Sequence, residues 1–215
     1  MPIKVVLVPV TPTRSGESGL RAAFALGRRF EAHVVAIHVR TDPKNAMPYM
    51  GEGMSGIVLQ EIMAAAEREA AERAKASRAL FDRVTAAEGV RLVDAPDGAG
   101  GLTAAFEEAL GREDETVARR ARLSDLIVMG NHQAQKSVSV GMTLEAVLLD
   151  SGRPLLIVPP GGAADFGGPV AVAWNGSVEA SRAVAAAMPF LLAAPRVTVV
   201  AVGEDDQPAA LAQGL

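Results

Sequence analysis

Four short apolar runs, rich in β-branched residues, constrain this chain more than anything else in it. Lys4–Val10 (KVVLVPV), His33–Val39, Asp125–Gly130 (DLIVMG) and Pro154–Val158 (PLLIV) lack the apolar-polar alternation of a half-solvated sheet. Such runs suit strands covered on both faces, as in parallel sheets layered with helices. The segments between them carry helical spacing. Ser18 is placed to cap a helix over Gly19–Phe30, with Leu20, Ala23, Phe24 and Gly27 on one face. Ile57–Glu88 reads as a helix of about 48 Å at 1.5 Å per residue, with Ile62, Ala66, Ala70, Ser77, Leu80 and Val84 on or near one stripe and Gly89 as its stop. Its mixed charges, including Glu69 and Arg73 at i,i+4, read as a solvated face. Leu102–Ala109 is expected to be a short edge strand, Glu113–Arg122 and Met142–Asp150 helices. Strand and helix alternate throughout, which predicts an α/β fold with a doubly wound, five-stranded parallel sheet.

Past Pro159 the sequence turns to PGGAADFGGP and then restarts. Strand Val170–Trp174, turn Asn175–Ser177, helix Val178–Leu192 and strand Val197–Val202 repeat the order of residues 4–39, as an internal duplication would. The expected organisation is one complete domain over 1–160, a Gly/Pro linker over 161–168 and a partial second copy (β-α-β) over 169–215, incomplete in this sequence. A unit of that size is below what usually sustains its own core. It is therefore expected to dock, either on the first domain or on another chain, burying Val170, Val172, Val197, Val199 and Phe190.

Composition removes several function classes. There is no cysteine, so neither a disulfide framework nor a thiolate metal site can form. Met1–Val10 is too short for a signal peptide, and Pro189, Pro195 and Arg196 interrupt the apolar stretch Ala183–Val202, so no membrane span and a cytoplasmic location are expected. A net charge of −4, without a basic stripe interleaved with aromatics, argues against nucleic acid.

In an open parallel sheet a ligand sits beyond the carboxyl ends of the strands, where strand order reverses. Three segments converge there: Pro9–Ser15, Val39–Asp42 and Gly130–Thr143. The last runs into a helix whose first amides can face an anion, with Gly130 and Gly141 allowing close backbone approach. A plain strand-to-helix loop is the equally open alternative. His132 lies in this loop without a second metal-ligating residue at ligand spacing; His33 and His38 sit in or beside a buried strand and read as packed. Asp42–Gly56 is expected to be a loop, either a mobile flap presenting Met47, Tyr49, Met50 and Met54 to a partner or a plug for the end of the long helix. No catalytic triad or carboxylate pair stands out, so no enzyme is expected.

Taken together, R-R-A-R-L-S-D-L-I-V-M-G-N-H from Arg119, L-E-A-V-L from Leu144, P-L-L-I-V-P from Pro154 and V-V-L-V-P-V near the N-terminus resemble the universal stress protein family over residues 1–160. V-A-V-A-W-N-G-S-V-E-A-S-R-A-V from Val170 resembles the opening of a second family domain. The resemblance implies an adenine nucleotide, ATP with its Mg, held by a loop of form G-x2-G-x9-G-[S/T] and an acid after the first strand. It also implies a dimer, or an intramolecular pseudo-dimer with the second copy. The implied cofactor-binding positions are Pro9, Val10, Thr11, Val39, Met129, Gly130, His132, Gln133, Gly141, Met142 and Thr143. Several depart from the pattern: Gln133 replaces the second glycine, seven residues rather than nine separate it from Gly141, Met142 replaces the phosphate-contacting hydroxyl with Thr143 one step late, and Thr11 stands at the acid. The expectation is a stress-response or regulatory protein whose nucleotide binding is weakened. Its alternative is a protein-protein interaction module that keeps the fold without the nucleotide.

Overall fold

The computed structural model describes residues 3–42, 56–131, 138–162, 166–201 and 211–212. The chain divides into two compact units, Ile3–Ala164 and Asp165–Leu215. In the first, the elements run β1 (Val5–Pro9), α1 (Arg14–Phe30), β2 (His33–Arg40), α2 (Gly56–Glu88), β3 (Arg91–Leu92), β4 (Thr103–Leu110), α3 (Glu113–Ala121), β5 (Leu126–Gly130), α4 (Val138–Asp150) and β6 (Leu155–Val158). The six strands form one parallel sheet in the order β3-β4-β2-β1-β5-β6. From β1 the chain passes to β2, then to the edge strand β3 and back inward to β4, before crossing to β5 and β6 on the other side of β1, so the order reverses between β1 and β5.

Helices cover both faces, and the strand residues divide between them by the two-residue period of a strand. Leu7, Val35, Ile37, Val39, Ile127 and Met129 cluster with Val117 and Ala121 of α3 and Val147 of α4. Phe24 of α1 meets Phe81 of α2 edge-on, with ring centroids 6.4 Å apart, and both rings are fully buried. Val6, Leu7 and Val8 have no exposed surface at all. This is the burial that the uninterrupted apolar runs predict.

Four readings need correction. α1 starts at Arg14, not Gly19, because Thr13 is the cap: its hydroxyl accepts from the amide of Gly16 at 3.1 Å. The sheet gains a sixth strand, the two-residue β3, at its edge. That places β4 inside the sheet, hydrogen-bonded to β2 and β3, rather than at the edge. The acidic pair that makes β4 look solvated is compensated: Glu107 takes a two-point contact from Arg120 at 2.6 and 2.8 Å, and Glu108 lies 3.8 Å from Arg40. On α2, Ile62 lies off the buried stripe, which passes through Ala74, Ser77, Leu80, Phe81, Val84 and Thr85. Residues 43–55, the greater part of the expected flap, lie outside the described residues.

Polar contacts fix the sheet's lower end. The Asp125 carboxylate accepts from the amides of Lys4 at 2.8 Å and Val5 at 3.0 Å, tying the start of β5 to the start of β1. His33 Nδ1 pairs with Thr103 Oγ1 at 2.8 Å, and burial pushes this imidazole below its usual range.

In the second unit, β7 (Val170–Trp174), α5 (Val178–Leu191) and β8 (Val197–Ala201) form a β-α-β with the strands parallel. Asn175 Oδ1 accepts from the amide of Ser177 at 3.1 Å, and Ser177 caps α5 through the amide of Ala180. Phe166 and Phe190 stack at a 6.3 Å centroid distance.

Candidate functional site

At the carboxyl ends of β1 and β2 lies a cleft of about 230 Å³. Pro9, Val10 and Thr11 line it from the first strand, and Ile37 to Thr41 from the second. Ala66, Glu69, Ala70 and Arg73 of α2 form another wall, and Glu113 and Val117 of α3 complete it. The sequence explains this placement. The first half of α2 carries alanines on the face that continues its buried stripe, so it passes close over the strand ends where a larger residue would fill the space. α3 opens on a run of three acids, Glu113, Asp114 and Glu115, which suits the positive end of its dipole.

Most polar groups around the cleft already have partners. Thr11 Oγ1 and Thr13 Oγ1 share a hydrogen bond of 3.0 Å, and Thr11 O accepts from the amide of Thr13 at 2.8 Å. Gly16 permits this tight turn, since a Cβ there would sit 2.1 Å from Thr11 O. His38 Nδ1 contacts Val10 O at 3.0 Å, and the amide of Val10 donates to Ile37 O at 2.8 Å, so the two strand ends are locked together. Burial pushes the Glu113 carboxyl above its ordinary range; the Arg73 guanidinium opposes this and the Asp114 carboxylate adds to it.

The structure brings Pro9, Val10, Thr11 and Val39 together on this cleft. Met129 instead faces the α3–α4 side of the core and is buried. Gly130 is needed for packing: a Cβ would lie 2.0 Å from Ser15 O, and Ser15 Oγ donates to Asn131 O at 3.0 Å just beyond it. The missing side chain is thus used by the first turn of α1. α4 begins at Val138 rather than Met142, so Gly141, Met142 and Thr143 lie on the helix and not in the loop before it. A Cβ on Gly141 would meet nothing, the Met142 side chain is exposed, and Thr143 is fully buried. His132 and Gln133 lie outside the described residues. Sequence reasoning missed Glu69, Arg73 and Glu113 as cleft residues; the acidic opening of α3 was the only signal for the last of them. Among the described residues, no group of three or more His, Asp or Glu is arranged to hold a metal ion, and no helix is long and apolar enough to cross a membrane.

Comparison with solved structures places the fold. A universal stress protein from Archaeoglobus fulgidus matches 98% of this chain and 71% of its own, with a TM-score of 0.61 at 16% identity. The universal stress protein UspA from Lactobacillus plantarum matches 73% of this chain and 98% of its own, with a TM-score of 0.48 at 18% identity. A universal stress protein solved in complex with cAMP matches 74% of this chain and 99% of its own, with a TM-score of 0.42 at 18% identity. No curated protein matches the sequence. The model of the universal stress protein family matches residues 2–159, from the start of the sheet to the end of β6, and the chain belongs to that family.

Proposed function

We propose that the protein is a stress-response or regulatory nucleotide-binding protein, non-catalytic and cytoplasmic, that takes an adenine nucleotide in the cleft beyond β1 and β2. The observation that carries this reading is the position of the cleft. It lies at the carboxyl ends of two adjoining central strands, β1 and β2, on the β2 side of the β1–β5 gap at which the order reverses; open α/β sheets hold their ligands beyond these strand ends. Pro9, Val10, Thr11 and Val39 line it. The apolar Val10, Ile37, Val39 and Val117 suit the face of a flat aromatic base. ATP would arrive with its own Mg, and its phosphates would extend toward Gly130 and α4.

Binding is weak in this reading. Thr11 stands where the family resemblance implies an acid, and its hydroxyl is engaged by Thr13. Met142, at the implied phosphate-contacting position, has no hydrogen to donate and is exposed on α4. The same engagement of Thr11 favours the second reading, an interaction module without nucleotide. We also propose that β7-α5-β8 is a partial second family domain, since it repeats the order of β1-α1-β2 with a capped helix between parallel strands.

Calorimetric titration of the full chain with MgATP tests the reading. The expected result is saturable one-site binding with a micromolar or weaker Kd. A submicromolar Kd would show that Thr11 and Met142 do not weaken the site. No heat of binding for ATP or cAMP, at millimolar nucleotide, would leave the interaction module as the better reading.

A further inference from the structure

Five ionisable side chains line the cleft: His38, Arg40, Glu69, Arg73 and Glu113. His38 is bonded to Val10 O, Arg40 faces Glu108 at 3.8 Å, and Arg73 faces Glu69 at 4.0 Å. The neighbours of Glu113 on α3 are also engaged, Asp114 with Arg112 at 2.7 Å and Glu115 with Arg112 at 3.2 Å. Glu113 alone of the five has neither a hydrogen bond nor an ion pair among the described residues. It is half-buried at the start of α3, one turn before the buried Val117, on the wall of a cleft whose other α3 residue is apolar. Its carboxyl has lost part of its hydration without gaining a donor, and burial is the largest influence on its titration. An acceptor left in that state gains more from a ligand N–H than an exposed carboxylate does, because the cost of removing its water is already partly met.

The shape of the cleft narrows what that N–H belongs to. Val10, Ile37, Val39 and Val117 form the buried apolar floor of the cleft beneath its polar rim, and an apolar floor suits the face of a planar ring better than a hydrated sugar. We propose that Glu113 is the specificity-determining residue of this cleft, accepting a hydrogen bond from the exocyclic amino group of a purine base. The inference rests on the nucleotide reading above and adds to it the group that the protein reads. A base without that amino group leaves Glu113 unsatisfied, so replacing Glu113 removes this discrimination between the two bases.

The test compares MgATP with the triphosphate of purine riboside, which has hydrogen in place of the 6-amino group, on the full chain and on Glu113→Ala and Glu113→Gln. The native protein should prefer ATP by about 10- to 100-fold, the range of one charge-assisted hydrogen bond. In Glu113→Ala the preference should fall to within about twofold, through weaker ATP binding and not through tighter binding of the analogue. Glu113→Gln keeps a neutral acceptor of the same shape; it should retain part of the preference, and it carries the test should the alanine variant fold poorly. Equal affinity of the native protein for both nucleotides would overturn the inference, as would an unchanged preference in the alanine variant, and either result would leave the nucleotide reading standing. Failure of the native protein to bind either nucleotide would overturn both.

Discussion

Gly130 and Gly141 flank the same candidate loop, and substitution by alanine should move stability in opposite directions. At Gly130 a Cβ would lie 2.0 Å from Ser15 O, 2.6 Å from Ser15 C and 3.1 Å from Ser15 Cα. All three are backbone atoms of the first turn of α1, so no side chain can rotate away. An ordinary contact needs ~3.5 Å, and the helix start or the end of β5 has to move. Overpacking of this kind costs about 1–3 kcal/mol. Loss of the Ser15 Oγ to Asn131 O bond adds ~1 kcal/mol, and the reduced freedom of the unfolded chain returns ~0.5–1 kcal/mol. The net is a loss of about 1–3 kcal/mol, or roughly 2–12 °C in Tm for a chain of this size. Gly141 sits within α4, and a Cβ added there would meet no heavy atom within 4 Å. Alanine there should add about 0.5–1 kcal/mol from helix propensity alone. Urea unfolding followed by far-UV ellipticity is the assay, because the sole tryptophan, Trp174, belongs to the other compact unit. A Gly130→Ala protein as stable as the native one, or two variants shifted in the same direction, would refute the packing argument.

Two further expectations follow from single residues. Burial holds the His33 imidazole below its usual value of 6.5, Arg120 adding to this and Glu107 and Asp97 opposing it. Stability should therefore be complete above about pH 6.5, fall as the pH drops below that value while the unfolded chain takes up a proton that folded His33 refuses, and level off below the folded pKa; His33→Asn should flatten this segment of the stability profile. Asp125→Ala should cost about 1–3 kcal/mol by leaving the amides of Lys4 and Val5 without their acceptor, and Asp125→Asn, which keeps one, should recover part of it in the same unfolding assay.

The central strands were legible in the sequence because an apolar run buried on both faces leaves a local signature, as at Val6–Val8 and Leu126–Gly130. β3 left none. Arg91 and Leu92 are exposed, and they form a strand only because β4 offers a free edge. β4 was misplaced because Glu107 and Glu108 resemble solvated residues until Arg120 and Arg40 are brought beside them by the fold. The start of α1 was obscured by Ser15 and Gly16, loop-like in sequence but required by close approach to Thr11 and Gly130. In the site, the strand-end residues Pro9, Val10, Thr11 and Val39 followed from the topology of parallel sheets. Arg73 and Glu113 did not, because the path of α2 over the strand ends is set by tertiary packing, and no spacing in the sequence records it.

The central claim is that the cleft beyond β1 and β2 is where a nucleotide binds, and amide chemical-shift mapping during an MgATP titration tests it most directly. The predicted result is a saturable shift of the amides of Val10, Thr11, Val39, Ala70 and Glu113, which line that cleft from four separate elements or their ends. Shifts confined to the second unit, or none at all at saturating nucleotide, would contradict the account.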